Sequence, residues 1–310
     1  MKRITRITKS APRILTQLQE RIIGQSAALE AIVPFVEMFQ SGLNPEGRPA
    51  GIFLLMGPTG TGKTQTVEAL AEVLHGSPKN VLTINCGEYQ MEHEVAKLIG
   101  APPGYLGHRE TQPGLTQVKL NQVMSDRANL AIVLFDEIEK AAPSLMRILL
   151  GILDKGILRL GDNTTVQFER TLIFMTSNLG AKELARELRP AHGFDVLTGP
   201  RTEITDFSRF AELGVAAAKR HFSVEFINRV DVITTFNPLT RENMRDILDL
   251  ELQKLSNHIS RRMSERRVYL RIPLKTRDYL VTAGFSQEFG ARALKRVLHT
   301  QIMQPLARLL

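Results

Sequence analysis

The segment GPTGTGKT at positions 57–64 carries the first chemistry that the chain announces. It fits the spacing G-x-x-x-x-G-K-[ST], directly after an apolar run and directly before a helical pattern. Each residue type has a reason. Glycines such as Gly57, Gly60 and Gly62 let backbone N–H groups close around phosphate oxygens, with Pro58, Thr59 and Thr61 completing the loop. Lys63 supplies a point charge to the β/γ-phosphates, and Thr64 offers a hydroxyl to Mg²⁺. The run LAIVLFDEIEK then ends in two acids. Asp136 is placed to complete a Mg²⁺ shell, and Glu137 is suited to orienting or deprotonating an attacking water. A third run, TLIFMTSN, ends in a polar triplet whose Asn178 could hydrogen-bond that water or the terminal phosphate. A pair of acids after a strand is common, and an isolated Asn there is ordinarily a turn residue. The three motifs together point to phosphoryl chemistry.

Such residues must be held by rigid elements, and the pattern supplies them. Five near-continuous apolar runs read as strands: Gly51–Met56, Val81–Cys86, Leu130–Asp136, Thr171–Ser177 and Val232–Phe236. Alternating with helical patterns, they predict an α/β domain whose parallel sheet is covered on both faces. Val67, Leu70 and Leu74 repeat at helical spacing after the first run, and Arg147–Leu153 reads as part of another helix. Residues 157–168 (ILRLGDNTTVQF) read as a hairpin about a Gly-Asp-Asn turn. After Phe236 the texture changes. Asn237-Pro238-Leu239-Thr240 is a breaker followed by an N-cap, Thr240, and Leu248, Leu252, Leu255 and Ile259 form a helical stripe. VYLRI at 268–272 reads as a short strand, with two more helical stretches beyond it. The boundary predicted near 237 divides the chain into a basic segment 1–20, a large domain 21–237 and a smaller, mostly helical (α+β) domain 238–310.

Composition removes other classes. The chain has 310 residues, 43% of them apolar and 23% charged, which excludes disorder and low complexity. No apolar run approaches the roughly 18 residues of a membrane span, and the basic start lacks the apolar stretch of a secretory signal. Cys86 is the single cysteine, so no disulfide framework or thiolate metal site is expected, and the location is read as cytoplasmic. No histidine, including His108 and His192 on loops, is spaced for metal binding. The net charge of +8 is concentrated in residues 1–19 and in RRMSERRVYLR at 261–271; without these, 30 basic residues face 31 acidic ones. Such clusters are ordinarily solvated, and nucleic acid is not an expected partner.

Seven landmarks in order carry a resemblance: RIIGQ at 21–25, GPTGTGKT, KLIGAPPGYLG at 97–107, VLFDEIEKA, MTSNLG, EFINRVD at 225–231 and GARALKR at 290–296. From Arg21 to Leu310 the chain resembles the second, C-terminal ATPase domain, with its small domain, of AAA+ ATPases of the Clp unfoldase/disaggregase family. The resemblance implies a P-loop AAA+ fold and an ATP-hydrolysing ring, expected to be a hexamer, that threads or remodels protein substrates with ATP and Mg²⁺. Ile22 and Ile23 then match the segment packing on the adenine. Arg229 matches the arginine finger that reaches the neighbouring subunit's nucleotide, and Arg292 the sensor arginine acting in its own subunit. Tyr105, with Gly104, Leu106 and Gly107, matches the pore loop that grips polypeptide. Gly193 and Phe194 match part of a loop by which some relatives dock a Clp-type peptidase, although His192 stands where those relatives have an aliphatic residue. Two departures stand out. Only a basic segment precedes Arg21, and the chain stops at Leu310 where relatives continue into further small-domain strands, so that domain is expected to be truncated. A nucleotide-switched scaffold without threading is the runner-up, but Glu137, Asn178 and Arg229 are all present. A nucleic-acid motor would use the basic clusters, and GYLG argues against it.

Overall fold

The computed structural model describes residues 11–100, 113–180, 207–262, 270–286 and 289–309. Five strands build one parallel sheet: β1 (Gly51–Met56), β2 (Leu82–Asn85), β3 (Ala131–Asp136), β6 (Thr171–Ser177) and β7 (Val232–Thr235), ordered β2-β3-β6-β1-β7. Between β3 and β6, β4 (Ile157–Arg159) and β5 (Thr165–Gln167) form the expected antiparallel hairpin. Its turn places Asn163 in the left-handed region, φ 68°, which Asn tolerates better than most residues.

The continuous apolar runs follow from two-sided burial. Alternate residues of each strand enter different cores: Ile52, Leu54, Val133, Phe135, Ile173 and Met175 one, Phe53, Leu55, Ile132, Leu134, Leu172 and Phe174 the other. In the second core the rings of Phe53 and Phe174 stack at 4.7 Å. Helices Lys63–His75 and Pro143–Lys155 follow β1 and β3 in the chain. Each stops at a left-handed glycine, Gly76 or Gly156, where the chain must turn back.

The C-terminal small domain is helical. Helix Arg241–Arg262 starts where expected: Thr240 Oγ1 accepts the Asn243 N–H at 3.1 Å, and Asn243 Oδ1 accepts the Thr240 N–H at 3.1 Å. Leu248 and Leu252 on this helix pack with Leu280, Val281, Leu294 and Leu298 from helices Leu274–Gly284 and Ala291–Leu298. Of the strand expected over VYLRI, Val268 and Tyr269 lie outside the described residues. Residues 270–273 are irregular and lead into helix Leu274–Gly284, and no neighbouring strand among the described residues offers Leu270 or Ile272 a ladder. Their side chains pack against the small-domain core.

Candidate functional site

The strand order decides which loops meet. With β6 between β3 and β1, the carboxyl ends of these strands stand side by side, in register Phe135↔Met175 and Met56↔Ser177. Gly57, Asp136 and Asn178, remote in sequence, therefore emerge together. A cleft of about 230 Å³ opens there beneath the small domain. Open parallel sheets bind ligands outside the carboxyl ends of their strands.

The P-loop residues Thr59, Gly60, Thr61, Gly62, Lys63 and Thr64 line this cleft. Gly57 and Gly62 have φ of 135° and 107°, which side-chain-bearing residues rarely adopt. Gly57 and Pro58 lie behind the loop: their carbonyls accept from Lys63 Nζ at 2.7 and 2.9 Å, and Asn178 Oδ1 accepts from it at 3.0 Å. Burial lowers the Lys63 ammonium to about 8, although Glu139, Asp136 and Glu137 favour its charge and Arg292 opposes it. A buried cation with three uncharged acceptors, facing a cleft, is suited to meeting a polyanion.

Asp136 and Glu137 also line the cleft. Thr176, buried on β6, governs both. Its hydroxyl donates to Asp136 Oδ1, and its oxygen accepts the Glu137 N–H at 3.0 Å. Glu137 sits at φ 58°, ψ 51°, a left-handed conformation that costs a glutamate energy and accumulates at functional sites. Its carboxylate meets Lys140 Nζ at 2.6 Å and accepts from Asn178 Nδ2 at 3.4 Å. Asn178 thus bridges the P-loop lysine and the acid. A second carboxylate holds it from below: Glu139 accepts the Asn178 backbone N–H at 3.0 Å, while its other oxygen is buried without a partner. The hydroxyl of Thr64 and the carboxylate of Asp136 give two oxygen donors on one cleft, a set that suits Mg²⁺.

Ile22 and Ile23 line the same cleft with Leu239, Ile247 and Leu250, giving it an apolar portion. Arg292, one residue into its helix, lines the cleft from the small domain. Arg229 does not line it. Its guanidinium pairs with Asp154 at 3.3 Å and Glu225 at 3.3 Å within its own chain, and its Nε is buried without an aligned hydrogen-bond partner. The following acid, Asp231, fixes this segment to β1 by accepting from the Ile52 N–H at 2.9 Å and from Arg48 at 2.7 Å. Gly104, Tyr105, Leu106, Gly107, His108, His192, Gly193 and Phe194 lie outside the described residues. Cys86, just past β2, is fully buried, and burial pushes its thiol up to about 12.

Thr176, Glu139, Lys140 and Gln25 do not stand out in the sequence reading. The first three fall inside the MTSN and DEIEK runs, so proximity to Asn178 and Glu137 was their signal. Gln25 had only its place in RIIGQ.

The family described as AAA domain (Cdc48 subfamily) matches residues 48–233, and that described as the C-terminal, D2-small domain, of ClpB protein matches residues 239–310. Chaperone protein ClpB of Meiothermus ruber is 36% identical over 296 residues, 96% of this chain and 32% of that protein. The ATP-dependent Clp protease ATP-binding subunit ClpC of Staphylococcus aureus (strain USA300) is 37% identical over 293 residues, 94% of this chain and 34% of that protein. The chain therefore spans about a third of the length of these curated relatives. Among solved structures, the extended conformation of the S. cerevisiae Hsp104:casein complex matches with a TM-score of 0.81 and 27% identity, over 97% of this chain and 48% of that one.

Proposed function

Because the chain belongs to the AAA domain (Cdc48 subfamily) family and carries a ClpB-type D2-small domain, we propose that it binds ATP with Mg²⁺ in this cleft, hydrolyses it, and uses the cycle in a ring to thread or remodel protein substrates. The observation that carries the reading is convergence. Lys63, the adjacent acids Asp136 and Glu137, Asn178 and the small domain's Arg292 come from four separate segments and meet on one cleft or on each other.

In this reading Ile22 and Ile23 pack on the base, and the amides of residues 59–64 hold the phosphates. Lys63 leaves its three acceptors for the β/γ-phosphates, where its full charge is recovered. Thr64 and Asp136 would hold Mg²⁺, which when bound would supply positive charge beside the phosphate oxygens. Glu137 takes the proton of the attacking water, and Asn178 orients that water from between Lys63 and Glu137. Arg292 acts on the nucleotide of its own subunit and Arg229 on that of a neighbour, so that hydrolysis depends on assembly. The chain divides into the basic segment 1–20, the ATPase domain 21–237 and the small domain 238–310.

Tyr105 with Gly104, Leu106 and Gly107 forms the polypeptide-gripping loop. Docking of a Clp-type peptidase through Gly193 and Phe194 ranks below independent remodelling in this reading, because His192 stands where peptidase-docking relatives place an aliphatic residue; an adaptor is the other accessory partner. The hexamer is the expected ring. Among the described residues no helix is long and apolar enough to cross a membrane, which is compatible with work in the cytoplasm.

The test is a pair of variants. Glu137→Gln is expected to bind ATP but not hydrolyse it, because Thr64 and Asp136 remain. Tyr105→Ala is expected to keep basal hydrolysis and lose processing of an unfolded protein. Normal turnover by Glu137→Gln overturns the chemical assignment; undiminished processing by Tyr105→Ala overturns threading.

A further inference from the structure

Gln25 follows the two isoleucines of the cleft by two residues, yet it does not line the cleft. It is 2% exposed, and its side-chain amide joins two segments far apart in sequence. Nε2 donates to the Thr61 carbonyl of the P-loop at 3.2 Å and to the Asn237 carbonyl at 2.9 Å, and Oε1 accepts the Asn237 N–H at 3.0 Å. Asn237 is the junction residue: Phe236 before it bonds to Met56 of β1, and Leu239 after it belongs to the small-domain core.

The P-loop end of this connection has a physical meaning. A loop whose N–H groups converge on an anion turns its carbonyls outward. Two successive outward carbonyls are captured here. Thr61 O is held by Gln25, and Gly60 O accepts the Ala291 N–H at 3.0 Å, at the start of the helix that carries Arg292. That second contact is backbone against backbone: a Cβ on Gly60 would lie 2.2 Å from Phe289 O, and one on Gly290 would lie 2.6 Å from Gly60 O. The small domain therefore touches the P-loop directly, and the junction touches it through one side chain.

We propose that Gln25 is a positioning residue that couples the P-loop to the interdomain junction at Asn237, so that a phosphate chain seated on the loop sets where Arg292 stands over the cleft. This rests on the reading of the cleft as a nucleotide site. Filling space cannot replace the amide, because one carbonyl of the P-loop and both backbone polar groups of Asn237 bond to it. Glutamate at this position keeps the size and the bond to the Asn237 N–H, but sets a carboxylate against two carbonyls. Methionine keeps the size and makes none of the bonds.

The experiment uses the full chain with Leu43→Cys and Leu274→Cys, both exposed, carrying spin labels on the large and small domains. Cys86 stays unlabelled because it is fully buried and its thiol is pushed up to about 12. Pulsed distance measurements are made with and without a non-hydrolysable ATP analogue and Mg²⁺, alongside direct titration of the analogue. In the Gln25 background the analogue is expected to shift and narrow the label-to-label distribution. Gln25→Glu and Gln25→Met are expected to bind it within about threefold of that background, to show no shift, and to lose roughly tenfold in turnover with little change in KM, the scale of one lost buried hydrogen bond. Hydrogen exchange at the Asn237 amide gives the same test without substituting Gln25, and is expected to slow when the analogue binds. A shift of equal size in both variants, no shift in the Gln25 background despite binding, or an Asn237 amide indifferent to the analogue overturns the role of Gln25. No analogue binding by the unsubstituted chain overturns the cleft reading instead, and the coupling falls with it.

Discussion

Replacing Thr176 by valine tests the acidic half of the site more sharply than replacing either acid. Valine keeps the branched shape that the fully buried strand β6 requires, so the change removes one hydroxyl and little else. That hydroxyl donates to Asp136 and accepts the backbone N–H of Glu137. Losing a bond to a charged acceptor costs about 1.5–3 kcal/mol, and stranding a buried N–H adds about 1–3 kcal/mol. The added methyl recovers about 1 kcal/mol by burial, so a net loss of about 1.5–5 kcal/mol is expected in urea unfolding of the nucleotide-free chain. Turnover should fall further than stability alone explains. Glu137 holds its left-handed backbone partly through this contact, and about 2 kcal/mol of misplacement in the transition state corresponds to roughly thirtyfold in kcat. The assay is steady-state ATP hydrolysis at saturating ATP, with Thr176→Ser as the control that keeps the hydroxyl. Unchanged turnover in Thr176→Val, or equal damage in Thr176→Ser, would refute the reasoning.

Three further outcomes are expected. Phe174→Ala should destabilise the chain by about 3–5 kcal/mol, because the ring is fully buried and stacked on Phe53 at 4.7 Å; a urea midpoint corresponding to under 1 kcal/mol would contradict the packing described. Burial holds Lys63 at about 8 against its ordinary 10.5, a cost to folding that is complete below pH 8 and vanishes as pH rises to 10.5, about 3 kcal/mol in all. The Tm of the nucleotide-free chain should therefore rise relative to that of Lys63→Met between pH 7.5 and 9.5, and parallel profiles would contradict this. Arg229→Ala subunits should bind nucleotide but hydrolyse it poorly, and mixing them with Lys63→Ala subunits should restore part of the activity; no recovery in verified mixed rings would leave Arg229 with only its contacts to Asp154 and Glu225.

The sheet was legible because two-sided burial writes itself into each strand: GIFLLM and TLIFMTS have no polar face to hide their type, and both runs match the observed limits. Other ends shifted even where side chains are fully buried, as at Cys86 and Phe236. Val81 and Cys86 fall outside β2, and Phe236 lies beyond β7 while still bonding to Met56. The P-loop was legible for a different reason, since few loops need glycine at such spacing. What stayed hidden depends on strand order, which no local pattern states. Thr176 matters because β6 lies beside β3, and Gln25 because the chain returns to it after 212 residues.

The position of β1 has a further consequence, for synthesis. This strand is flanked in the sheet by β6 and β7, both made long after it. At about 5–20 residues per second, a ribosome needs on the order of 6–24 s to travel from Met56 to Ser177. Throughout that interval GIFLLM has neither hydrogen-bonded neighbour and no complete cover on either face. An apolar segment without its partners is a template for pairing with other chains. The arrangement that brings the phosphate loop to the carboxyl edge of the finished sheet therefore makes its own strand a liability of the nascent chain, and the yield of folded protein should respond to translation speed and to holding factors over residues 57–177.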